Sequence, residues 1–103
     1  YTFMSGASYL ARAYALIGKK ADAARILNKV WADAKSYADY YLQLTGSRFM
    51  MSQNDVLRQL YIMQNIADMT QACDKNLADQ RLKTVNALYA VYQAKGGTPY
   101  QGE

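Results

Sequence analysis

Apolar residues recur along this chain in steps of three and four, and no stretch alternates apolar with polar. That spacing belongs to helices, not strands. Phe3, Ala7, Leu10, Tyr14 and Ile17 form the first row and predict a helix that begins near Phe3–Ser5. Gly18 should close it, because glycine takes the left-handed conformation without a Cβ penalty. Ala23, Leu27, Val30, Ala34, Tyr37, Tyr41 and Leu44 carry a second row. They predict a helix from 19 to 45, either continuous or broken near Lys35-Ser36. Trp31, Tyr40 and Leu42 lie off that row, so more than one face should be covered.

Thr45-Gly46-Ser47 ends the second helix, and Arg48-Phe49-Met50-Met51 reads as an apolar patch in a connection. Such a patch either folds under the helices or docks a partner. Ser52 and Asp55 resemble a capping box, which opens a third helix from Gln53 to about Asp74. Val56, Leu60, Met63 and Ala67 form one row on it, and Ile62, Ile66, Met69 and Cys73 a second beside the first. A helix apolar over more than half its circumference should be the most buried one. Lys75-Asn76 reads as a short break. A fourth helix from 78 to 94 carries Ala78, Leu82, Val85, Leu88, Tyr89 and Tyr92 on one face, with Asp79, Lys83, Asn86 and Gln93 opposite. Gly96-Gly97-Thr98-Pro99 stops it. The expected architecture is all-α: about four helices in two stacked antiparallel hairpins, the third helix central. One domain spans 1–95, and 96–103 form a flexible tail.

Composition narrows the function classes. The chain has 103 residues, one cysteine and no histidine. An intrachain disulfide is therefore excluded, and the usual general base and commonest metal ligand are missing. Neither a metal nor a cofactor is expected, and no catalysis by this domain alone. No apolar run approaches the ~20 residues that a membrane-crossing helix needs. The first residue is Tyr1, so the chain is expected to be a piece of a longer protein. The net charge of +4 is uneven. Arg12, Lys19, Lys20, Arg25, Lys29 and Lys35 face only Asp22 and Asp33 in the first 35 residues, and the remainder balances.

The run Leu10-Ala11, Tyr14, Gly18, Ala23, Leu27, Val30 resembles the tetratricopeptide repeat. There a large–small pair opens the first helix, an aromatic follows a turn later, glycine makes the turn, and alanine lets the second helix approach. The usual closing proline is missing, and Lys35 stands about there. A second, longer resemblance follows the order YLARAYALIGKKADAARIL, DYYLQL, NDVLRQLYIMQNIADM, LADQRLKTVNALYAVY. It is similar to the C-terminal region of large bacterial multi-pass membrane proteins whose N-terminal part resembles glycosyltransferases. The first resemblance implies a protein-binding scaffold. The second implies a membrane-tethered tail, with the periplasmic side favoured and the sugar chemistry elsewhere.

These residues make a non-catalytic interaction or accessory domain the leading expectation, with a protein or peptide partner, acidic in character. The alternatives are a substrate-contacting fragment of a glycosyltransferase-like enzyme and a basic nucleic-acid-binding domain. The nucleic-acid reading is the weakest, because Arg12, Lys19, Lys20, Arg25 and Lys29 on two helices lack any recognition motif. Three residues are singled out as binding candidates. Arg12 is the one charge before the first turn, and its planar fork suits a carboxylate. Lys19 adds charge at the groove's end. Tyr40, off its row, could stack on a sugar or peptide. The plain alternatives are a solvated face for the cations, which could also meet an anionic membrane surface, core packing for Tyr37 and Tyr41, and a buried structural thiol for Cys73. Lys19 and Lys20 oppose the dipole of the second helix, so helix stability does not explain them.

Overall fold

A computed structural model describes residues 2–99, with side chains from Gly6 onward. Five helices follow one another: α1 Thr2–Leu16, α2 Lys20–Gln43, α3 Gly46–Met51, α4 Gln53–Thr70 and α5 Lys75–Ala94. Among the described residues there is no strand, and no helix is long and apolar enough to cross a membrane. A short turn folds α2 back on α1, and another folds α5 back on α4. α2 and α4 form the central contact, and each of them also touches every other helix.

Gly18 closes α1 as expected, at φ +87°. The Lys19 amide donates to the Tyr14 carbonyl at 2.8 Å, and the Gly18 amide to Ala15 at 3.2 Å. These two bonds make a Schellman motif, which satisfies carbonyls that the helix end leaves open. The same motif ends α5, with Gly96 at φ +92° and the Gly97 amide donating to Tyr92 at 3.0 Å.

The buried row of α1 differs from the expected one. Ala11 is buried, and Ala7, Tyr14 and Ala15 pack against the core. Leu10 and Ile17 are exposed instead. The Phe3 side chain lies outside the described residues. Small residues sit on the inner face because α1 meets both α2 and α4, and alanine permits the closer approach of two backbones.

On α2 the helix is continuous, with no break at Lys35-Ser36. Its buried row runs Ala23, Leu27, Val30, Ala34, Ala38, Leu42. The expected row turned instead through Tyr37 and Tyr41. Tyr37 is exposed, Tyr41 and Leu44 are half-buried, and Leu42, expected off the row, is buried. Steps of four drift around the helix, since four residues exceed the 3.6 of one turn. That drift tracks a change of neighbour. The fifteen residues of α1 cover only part of α2, and α3, α4 and α5 complete its surroundings.

The expected apolar connection is itself a helix, α3, which raises the number from four to five. It buries Phe49 and leaves Met50 and Met51 exposed. No Ser52 capping box forms: the Ser52 hydroxyl donates to the Arg48 carbonyl at 2.9 Å, and α4 starts without a side-chain cap. α4 stops at Thr70, so Cys73 sits half-buried in the following turn. α5 starts at Lys75, not Ala78, because the Asp74 side chain accepts the Leu77 amide at 3.1 Å. Lys75 and Asn76 are therefore helical and not a break. α4 is the most buried helix, with Val56, Leu60, Ile62, Met63, Ile66 and Ala67 all enclosed.

Residues 96–98, assigned to the tail on sequence, are held in place. The Thr98 amide and hydroxyl each lie 2.8 Å from Gln53 Oε1, and the Tyr92 hydroxyl donates to the Thr98 carbonyl. A Cβ on Gly97 would come within 2.4 Å of the Tyr92 ring, so only glycine fits there. Residues 100–103 of the tail lie outside the described residues.

Candidate binding surface

The outward face of α4 runs between two grooves. The first lies between α1 and α4, about 470 Å³ in volume, and is lined by Ser8, Tyr9, Arg12, Asn65, Asp68 and Met69 among others. The second lies between α4 and α5, about 680 Å³, and is lined by Leu57, Leu60, Gln64, Val85, Asn86 and Tyr89 among others. Tyr61 borders both and is 68% exposed. The α1 and α4 helices meet less closely than α2 and α4 do, which leaves the first groove open.

Arg12 occupies the first groove because it stands one residue past Ala11, off the inner row of α1. Its guanidinium is exposed and has no ion-pair partner among the described residues. Asn65 and Asp68 come from the outer face of α4, and Ser8 lies one turn before Arg12. Together they offer a cation, an amide that both donates and accepts, a carboxylate and a hydroxyl over an apolar floor. Such groups can donate and accept hydrogen bonds along the groove.

The other two sequence-singled residues do not join it. Lys19 stands exposed at the start of α2, where its backbone serves the turn after α1. Tyr40 stands at the far end of α2, twenty-one residues on, a separation of about 30 Å along the helix axis. Its ring meets Tyr41 edge-on at 5.4 Å. Burial, followed by the nearby Asp55 carboxylate, pushes the Tyr41 hydroxyl above its usual pKa of 10.0. Tyr37 and Tyr40 present their rings to solvent.

Tyr61 escaped the sequence reading. It lies off both apolar rows of α4, the same signal that singled out Tyr40. Arg81 escaped it too. This side chain is 6% exposed, with Nη1 donating to Thr70 Oγ1 at 2.9 Å and Nη2 to Asn28 Oδ1. The guanidinium also lies 5.1 Å from the centre of the Trp31 ring. All its partners are neutral, and Nε has none. Burial lowers its pKa from the ordinary guanidinium value, partly offset by Asp74. The arrangement ties α2, α4 and α5 together and is structural. Among the described residues, no three His, Cys, Asp or Glu side chains gather as metal ligands would.

Comparison of the chain with protein families, with curated proteins and with solved structures finds no match.

Proposed function

We propose that this chain is a non-catalytic, peptide-binding module of tetratricopeptide-like build. The α1–α2 and α4–α5 pairs are its two hairpins, and the α1/α4 groove is its ligand site. The packing order supports the build: α4 lies against both members of the first pair, and α5 meets α2 as well as α4. The observation that carries the site is Arg12, unpaired in a groove between the first helices of the two pairs, with Asn65 across from it. A peptide carboxylate matches the planar guanidinium. An asparagine amide matches a peptide group, because each offers one donor and one acceptor side. Asp68 in the same groove favours a ligand that pairs its carboxylate with backbone N–H groups nearby, rather than a densely acidic one. A larger, membrane-bound parent enters this reading through the sequence resemblance, as does its glycosyltransferase-like chemistry, which lies outside this chain.

The test is an array of peptides with free or amidated C-termini, followed by fluorescence anisotropy on the tightest binder. Free carboxylates should win. Arg12→Ala should weaken binding about fivefold, the scale of one exposed charged contact, and flatten the salt dependence without moving the melting temperature. An affinity untouched by both Arg12→Ala and Asn65→Ala removes the groove from the proposal.

A further inference from the structure

The outer face of α1 is apolar from Tyr9 to Ile17. Tyr9, Leu10, Leu16 and Ile17 are 77%, 47%, 79% and 66% exposed. With Ala13 they recur in steps of three and four, so they stand on one side of the helix. That side is opposite the row that packs inward. The only charged residue between Gly6 and Gly18 is Arg12, and it points into the α1/α4 groove instead. Contiguous exposed apolar surface of this kind marks an interaction site.

The charge around the stripe identifies what covers it. Two exposed lysines, Lys19 and Lys20, follow Ile17 directly after the turn. Neither has an ion-pair partner among the described residues, while the nearest acid, Asp22, is taken by Arg25 at 2.9 Å. Both lysines sit at the positive end of α2, where they weaken the helix. The whole net charge of +4 belongs to the first 35 residues, which hold α1 and the first two thirds of α2. An apolar strip bordered by unpaired cations complements a surface that is apolar within and anionic at its edge.

We propose that α1 docks in the plane of an anionic lipid bilayer, with Leu16, Ile17, Tyr9 and Leu10 entering the acyl boundary and Lys19 and Lys20 meeting the headgroups. No described helix is long and apolar enough to cross, so the element lies on the membrane and does not span it. A second copy fits less well. In an antiparallel α1 pair, each Lys19-Lys20 would meet the positive N-terminal end of the other helix; in a parallel pair, lysines would meet lysines. Tyr9 borders both the stripe and the α1/α4 groove, but Leu16, Ile17, Lys19 and Lys20 do not line that groove, so variants at these four test the docking independently of the peptide-binding reading.

Flotation of the full chain with vesicles tests it. Phosphatidylcholine vesicles containing phosphatidylglycerol should take up the protein at least about tenfold better than phosphatidylcholine alone, with uptake falling as salt rises. The double variant Leu16→Ser/Ile17→Ser should lose about tenfold or more, as expected for two exposed aliphatic side chains. Lys19→Ala/Lys20→Ala should lose about thirtyfold, on a scale of about a factor of five per cation. Circular dichroism should show no loss of melting temperature for either, since these side chains are exposed, and a slight rise for Lys19→Ala/Lys20→Ala as two cations leave the positive end of α2. Equal uptake by neutral vesicles, or none by either, overturns the proposal. So does a concentration-dependent dimer in sedimentation that Leu16→Ser/Ile17→Ser dissolves while flotation is absent.

Discussion

α1 is richer in apolar residues than α4, yet the two helices use them in opposite ways. α4 turns its large side chains inward: Met63 and Ile66 are fully enclosed, and polar Asn54, Gln64, Asn65 and Asp68 face out. α1 turns alanines inward and leaves leucine, isoleucine and tyrosine outside. The difference follows from the number of neighbours. α4 touches all four other helices, whereas α1 touches only α2 and α4. A helix at the centre needs bulk on every side to fill space. A helix at the margin needs bulk only where something further will cover it. The lesson is that apolar content marks a helix as adhesive without saying which face the fold itself consumes.

The sharpest way to break this contrast is to truncate one residue of each kind. Ile66→Ala should cost about 2–5 kcal/mol, the loss of a buried side chain plus the cavity left behind. Leu16→Ala should stay within about 0.5 kcal/mol, as surface changes usually do. Urea unfolding measures both, and equal losses would mean that α1 is as enclosed as α4.

Arg81 sharpens the comparison from the polar side. Arg81→Ala should cost about 2–4 kcal/mol, because it opens a cavity and leaves Thr70 and Asn28 without their donor. Arg81→Met keeps the volume and removes the buried charge, so its loss should be less than half as large. If the two variants prove equally unstable, the hydrogen bonds to Thr70 and Asn28 outweigh the packing.

A smaller loss than at Ile66 or Arg81 is expected where α5 meets the 96–98 segment. Tyr92→Phe should lose about 1 kcal/mol at neutral pH, the value of one hydrogen bond. Burial raises the Tyr92 pKa above 10.0, with the Thr98 hydroxyl pulling the other way. A tyrosine held neutral in the fold stabilises it fully below the unfolded value. That contribution is lost as pH rises through the folded one. The wild-type chain should therefore weaken above about pH 10 more steeply than Tyr92→Phe does. Parallel pH profiles of the two in chemical unfolding would show that Tyr92 does not titrate differently on unfolding.

Much of the local structure was legible in the chain. Gly18 and Gly96 end helices as their positions announce, and the double row on α4 identifies the most buried helix. The α3 helix was not legible, because six residues are too few to show a period. The Asp74 cap was hidden by Lys75-Asn76, which reads as a break but forms a first helical turn. Arg81 had a signal: it stands three residues after Ala78 and four before Val85, on the buried row. Its charge hid it, since a buried arginine is rare unless partners on other helices accept its hydrogens. Of the candidate site, Arg12 was legible as a lone cation off the inner row. Asn65 and Asp68 were not, because their place in one groove with Arg12 requires knowing that α1 and α4 are neighbours.

By itself, the sequence determined that this protein is helical, where most of its helices turn, and that its net charge is confined to the first 35 residues. These are properties of periodicity, glycine and ion count, each readable within a few residues. Only the tertiary structure decided which of two apolar faces on α1 is spent on the core. It alone placed Lys19 and Tyr40 at opposite ends of one helix, and Arg12 in a groove with Asn65 and Asp68. The physical reason is that burial belongs to pairs of surfaces. A helix carries its pattern in its own residues, but the face it buries is chosen by the helices that reach it.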